Sequence, residues 1–133
     1  MVLVILLVLA LFVLQTLLPA RFRYLSGAGV GDKVAVALGP RDEPPPQSRL
    51  GGRAERALAN MHEALPVFIT LALLNLITHT AGAMAVNGAW VFLVARVLYV
   101  PAYLSGITGV RTLMWVVGWV GLVMMLIPLL ASA

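Results

Sequence analysis

Four apolar stretches, each long enough to cross a hydrocarbon core, limit what this chain can fold into more than any motif does. From Met1 to Leu18 only Gln15 and Thr16 interrupt the apolar run. At 1.5 Å per residue that run reaches about 27 Å, close to the thickness of a bilayer interior. It lacks the basic start and the small-x-small cleavage site of a signal peptide, and its apolar run is too long for one, so it reads as a retained span. Three further runs follow, giving spans at about 1–19, 53–80, 89–107 and 112–130, with a polar loop over about 20–52. Residues in lipid must satisfy their backbone polar groups within their own segment, which makes each run a helix. The expected fold is therefore all-α, a single integral membrane domain built as a four-helix bundle.

Composition agrees with this reading. The 133 residues are 62% hydrophobic and only 11% charged, against about 25% charged in ordinary soluble domains, and the mean hydropathy is +1.02. There is no Cys, which excludes disulfides, thiolate metal sites and a Cys nucleophile; thiol chemistry would need a thiol carried by a ligand.

The net charge of +4 is a matter of topology. Arg21, Arg23, Lys33, Arg41, Arg49, Arg53 and Arg56 lie in or beside the first loop, and Arg111 lies in the third. The second has no charge. By the positive-inside rule the first and third loops are cytoplasmic and both termini outside, so nucleic acid is not an expected partner. In the first loop, the glycines from Gly27 to Gly52 and the run Pro44-Pro45-Pro46 break any long helix, although a short helical or extended piece fits Lys33 to Leu38. Pro19, followed by Arg21 and Arg23, reads as the end of the first span. Pro66 reads as a bend in the second that frees the carbonyl of His62.

The second span opens on a polar stripe. Arg53, Arg56, Asn60 and Glu63 are spaced three, four and three apart, which places them on one side of a helix. In the third span Arg96, Tyr99 and Tyr103 repeat that spacing. Folding the two spans antiparallel brings Asn60, Glu63, Arg96, Tyr99 and Tyr103 towards one layer, with Arg56 and Arg111 nearer the cytoplasm. An unpaired charge at mid-span costs several kcal/mol, so these groups either bond one another as glue between helices or form a site. Cations above an Asn–Glu–Tyr layer suit an anionic or zwitterionic ligand. Arg53, Arg21 and Arg23 read most simply as rim cations facing lipid phosphates. His62 and His79 lie off the stripe and several turns apart, so no metal site is expected. A small proton-driven exporter would want a membrane acid in its first helix, and this one has none.

The stretch Arg53-x-x-Arg56-Ala57-x-x-Asn60-x-x-Glu63-x-x-Pro66-x-Phe68 resembles the second-helix signature of the MAPEG family, the membrane-associated proteins in eicosanoid and glutathione metabolism. Ala95-Arg96-Val97-Leu98-Tyr99-x-x-x-Tyr103 resembles the third-helix motif of that family, with Arg111 opening the fourth helix. Gly39-Pro40-Arg41-Asp42-Glu43-Pro44 and Val110-Arg111-Thr112-Leu113-Met114-Trp115 look most like a bacterial branch. The resemblance implies a homotrimer in the bacterial inner (cytoplasmic) membrane, with sites between subunits near the cytoplasmic face. It implies glutathione as co-substrate, bound by Arg56, Asn60, Glu63, Tyr99 and Tyr103, with Arg96 in the same layer and Arg21 or Arg23 contributed by the neighbour. Arg111 would stabilise the thiolate, although its spacing from Tyr103 departs by one residue from the family's. A small lipophilic ligand would arrive from membrane lipid. Ala64 stands where several eicosanoid enzymes carry Tyr, so part of their pocket is missing. The function implied is a glutathione-dependent transferase or peroxidase, or else a non-catalytic lipid-binding protein on the same scaffold.

Overall fold

The computed structural model describes residues 1–24 and 48–132. They form four helices: α1 (Val2–Tyr24), α2 (Arg49–Ile77), α3 (Ala83–Ser105) and α4 (Thr108–Ser132). All four are long and apolar enough to cross a membrane. Most of the loop expected over 20–52, including the piece around Lys33 to Leu38, lies outside the described residues.

The helices run longer than the sequence reading placed them. α1 continues through Pro19 to Tyr24, and α2 starts at Arg49, before Gly51-Gly52. Each helix carries one internal proline: Pro19, Pro66, Pro101 and Pro128. In a span this is tolerated because neighbouring groups compensate the missing amide. Prolines therefore do not mark helix ends here, and α2 passes unbroken through Pro66. The start of α2 is fixed by Ser48, whose hydroxyl accepts from the Gly51 amide at 3.0 Å, a side-chain N-cap. The turn expected over 81–88 is much shorter, since α3 begins at Ala83. His79 takes φ 57° in this turn, a left-handed position for a non-glycine residue.

The most extensive contact joins α3 and α4. α2 packs against all three other helices, and α1 leans on α2 and more lightly on α3, out of contact with α4. Apolar side chains gain little from leaving lipid, so close packing rather than water exclusion holds such a bundle. The closest packing is a glycine crossing between α3 and α4. A Cβ on Gly121 would stand 2.6 Å from the Gly88 carbonyl oxygen and 2.7 Å from the Phe92 amide nitrogen. Around it Phe68 stacks on Phe92 with ring centroids 4.6 Å apart. Val4 and Val8 of α1 close the core against Met61, Ala64 and Ala72 of α2.

The buried seam of α2 runs through Gly51, Ala54, Ala57, Met61, Ala64, Phe68, Ala72 and Asn75. It is one residue out of phase with the Arg53–Arg56–Asn60–Glu63 stripe. One residue turns a helix by about 100°, so the stripe flanks the seam and does not point into the bundle.

Candidate functional site

Arg96 sits midway along α3 and is 1% exposed. Its Nη1 donates to Asn60 Oδ1 at 2.5 Å, and its Cζ lies 5.0 Å from the Phe92 ring centroid and 5.6 Å from that of Tyr99. Gly118 of α4 leaves the space beside it. Glu63 lies about one turn along α2 from Asn60. The hydrogen bond thus goes to the amide of the stripe and not to its acid. Two of the guanidinium nitrogens, Nε and Nη2, are buried without a hydrogen-bond partner. Leaving such donors unmet is costly in a low-dielectric interior.

From Arg96 a chain of ring contacts leads to the arginine-rich end. Tyr99 and Tyr103, one turn apart on α3, have ring centroids 5.5 Å apart. Arg111, in the first turns of α4, places its Cζ 5.0 Å from the Tyr103 ring. Tyr99, Tyr103, Arg111, Thr112 and Trp115 line a cavity of about 290 Å³. A cation over an aromatic face is attracted by the ring and keeps its charge.

Of the residues expected at the site, Asn60, Arg96, Tyr99, Tyr103 and Arg111 form this continuous arrangement, and Glu63 adjoins it. Arg56 and Glu63 are exposed on the flank of α2. Arg21 lies on α1, lining a different groove with Val97, Val100 and Pro101 of α3. The side chain of Arg23 lies outside the described residues. Thr112 and Trp115 were missed by sequence reasoning, yet Trp115 is one helical turn past Arg111, and that spacing was the available signal. Arg53, expected as a lipid-facing rim cation, is instead a tie within the subunit. Its Nη1 donates to the Leu104 carbonyl at 2.7 Å, and its guanidinium lies on Gly106, which ends α3 at φ 81°. Ala64 faces the buried core, 2% exposed, and takes no part in lining the cavity.

The model of the MAPEG family matches residues 1–131. The chain belongs to the MAPEG family. Membership covers all four helices and makes this a multi-pass membrane protein of the family concerned with glutathione and eicosanoid metabolism. No curated protein and no solved structure matches it. Within this MAPEG chain the tyrosine-lined cavity and the Arg96 layer behind it are the candidate site.

Proposed function

We propose that this MAPEG protein is a glutathione-dependent transferase or peroxidase that acts on lipophilic electrophiles at the cytoplasmic face of the membrane. The observation that carries the reading is Arg96. Its buried guanidinium has two unmet nitrogens beside Gly118 of α4 and stands one ring behind a cavity lined by Tyr99, Tyr103 and Arg111, a cationic layer that suits an anionic ligand. Glutathione is such a ligand, and it supplies the thiol that a chain without Cys lacks.

In this reading Asn60 orients the Arg96 fork towards a carboxylate, and Glu63 faces an ammonium group. Tyr99 and Tyr103 form the wall and donate hydroxyl protons. Arg111 lies where a cation lowers the pKa of a thiol from about 8.5 and favours the nucleophilic thiolate. The cavity of about 290 Å³ is at the lower limit for a ligand pocket, and Arg56 and Glu63 face outward beside it. Both facts support a site completed by a neighbouring copy in a homotrimer, with Arg56 on a second carboxylate and Arg21 or Arg23 coming from the neighbour.

Titration of glutathione into the detergent-purified protein, read as a thermal shift, tests the proposal. Millimolar glutathione should raise the Tm of the wild type, and the shift should shrink in Arg56→Ala and Glu63→Gln. Wild type should also conjugate a chloronitrobenzene, and Arg111→Ala should lose that activity while retaining binding. A wild type with no shift at millimolar glutathione ends the proposal. Arg111, engaged over the Tyr103 ring, favours a second reading, a lipid-presenting protein that binds without turnover. Saturable binding unaffected by Arg111→Ala, with no conjugation, would select it.

A further inference from the structure

The tyrosine cavity is walled from the two arms of a single turn. Tyr99 and Tyr103 come from the last turns of α3, and Arg111, Thr112 and Trp115 from the first turns of α4. Gly106 and Ile107 join them, so the shape of this turn decides where Arg111 stands relative to Tyr103. Little packing holds the turn itself. Every residue from Ser105 to Val110 is exposed, and a Cβ on Gly109 would meet open space. The backbone bonds of the turn are local. The Gly106 amide donates to the Tyr103 carbonyl and the Arg111 amide to the Ile107 carbonyl, each at 3.2 Å.

From a third helix, Arg53 reaches the turn. Its Nη1 bond to Leu104 satisfies a carbonyl that the end of α3 leaves without an intrahelical partner. Its guanidinium covers Gly106, where a Cβ would strike it, and Gly106 itself stands at φ 81°. Arg53 is half-buried and lines no part of the cavity. Tyr103, in turn, is bonded at its carbonyl by Gly106 and faced at its ring by Arg111. A shift of Gly106 away from Arg53 therefore moves the tyrosine and the arginine of the cavity relative to each other.

We propose that Arg53 is a positioning residue: its clamp on the α3–α4 turn holds the Arg111 guanidinium at the tyrosine cavity and so sets how strongly the site acidifies a bound thiol. The inference rests on the glutathione reading of that cavity and deepens it, giving a residue outside the cavity control of a step inside it. In that step the thiol loses its proton to solvent and the thiolate sulfur bonds the ring carbon of a chloronitrobenzene. Chloride leaves with the electron pair of the broken C–Cl bond. A cation displaced from the sulfur stabilises the thiolate less, because the attraction falls with distance.

The test is the pH profile of chloronitrobenzene conjugation by the full chain in detergent, followed on both sides of the free thiol pKa of about 8.5. Arg53→Gln should raise the pKa that governs kcat by about one unit, a loss of about tenfold in kcat below it, with the glutathione KM within about twofold and the rate rejoining wild type at high pH. Arg53→Lys keeps the charge and a donor for Leu104 and should stay within about threefold of wild type. Gly106→Ala keeps Arg53 and pushes its guanidinium off the turn, so it should give the profile of Arg53→Gln, and the double variant should be no worse than either. Tyr99, Tyr103, Arg96, Arg111 and Glu63 are retained throughout, so none of them accounts for a shift. If Arg53→Gln does not fold, Gly106→Ala carries the same comparison. A lower Tm with the wild-type pH profile overturns the proposal and leaves Arg53 a structural tie. A higher KM without a shift in pKa also overturns it, making Arg53 a ligand-binding cation. In both cases the wild type still conjugates glutathione and that reading stands, whereas a wild type that neither binds nor conjugates it removes the reading and the proposal together.

Discussion

Two buried polar residues stand at different depths of the same bundle, one near the end of α2 and one midway along α3, and they are handled in opposite ways. Asn75, fully buried near the end of α2, meets all its demands. Its Nδ2 donates to the Leu71 and Met125 carbonyls, each at 2.9 Å, and its Oδ1 accepts from the Thr80 hydroxyl at 3.0 Å. Arg96 is as deeply buried and has one hydrogen bond, to Asn60, with two nitrogens unmet. Both meet the same face of α4, Asn75 at Met125 and Arg96 at Gly118, with the Gly88–Gly121 crossing between them. A polar group that is fully satisfied inside the subunit is a fastening. One held with donors to spare is available to something else. That difference, and not polarity in an apolar span, separates glue from site in this molecule.

The largest effect should come from removing the crossing that holds both residues in place. Gly121→Leu would drive a side chain into the Gly88 carbonyl and the Phe92 backbone, atoms that cannot move without displacing a helix. The expected outcome is no folded protein in detergent, measured by size-exclusion chromatography and circular dichroism. A folded Gly121→Leu variant would show that the α3–α4 contact is looser than its geometry says and that the two residues are not held by one ridge.

Asn75→Leu addresses the satisfied residue. It removes two donated bonds and one accepted bond, while the Thr80 hydroxyl keeps its bond to the Thr78 hydroxyl. Bonds between membrane helices are worth about 0.6 kcal/mol on average, with somewhat more for buried partners left alone. The expected loss is about 2 kcal/mol in reversible denaturation, with glutathione affinity unchanged. A loss of affinity without a loss of stability would reverse the roles assigned to the two residues.

Arg96→Met should show the opposite pattern. Replacing a buried, half-paired charge by an apolar side chain of similar length is often neutral or stabilising, by about 1 kcal/mol or more. Stability should therefore hold or rise, while glutathione affinity falls at least tenfold. A destabilisation as large as that of Asn75→Leu would make Arg96 a fastening after all and remove the observation on which the proposed function stands.

Much of this was legible in the chain, and the gaps have a common cause. Apolar runs of bilayer length show four helices, because lipid leaves the backbone no other solution. The third-helix spacing of Arg96, Tyr99 and Tyr103 puts them on one side of a helix wherever it packs. Which side faces inward is decided by the neighbours. On α2 the small residues Ala54, Ala57 and Ala64 let other helices approach, and they take the seam one residue away from the polar stripe. Arg56 and Glu63 are thereby left on the flank. Gly88 reads as a turn residue in isolation and is a packing residue because Gly121 stands opposite it. Arg53 looks the same as Arg56 along the chain, and only the α3–α4 turn beside it gives it a different task. Such features depend on contacts between distant residues, which composition and period do not encode.

That last pair gives the finest test, because Arg53 and Arg56 are one turn apart on a helix and differ in what they touch. Arg53 bonds the Leu104 carbonyl, one of the groups that the end of α3 leaves without an intrahelical partner. It lies half-buried against Gly106, whose left-handed backbone favours glycine. Arg53→Gln should cost about 1 kcal/mol, since a charge-assisted bond is lost and solvent partly replaces it. The loss should be local, seen as faster amide exchange at Gly106 and Ile107, with glutathione affinity within about twofold of wild type. Arg56→Gln should show the reverse, with exchange in that turn unchanged and affinity reduced. If both substitutions weaken glutathione equally and neither alters the turn, Arg53 belongs with the ligand-binding cations, and the division between fastening and site fails at the position where the two are closest.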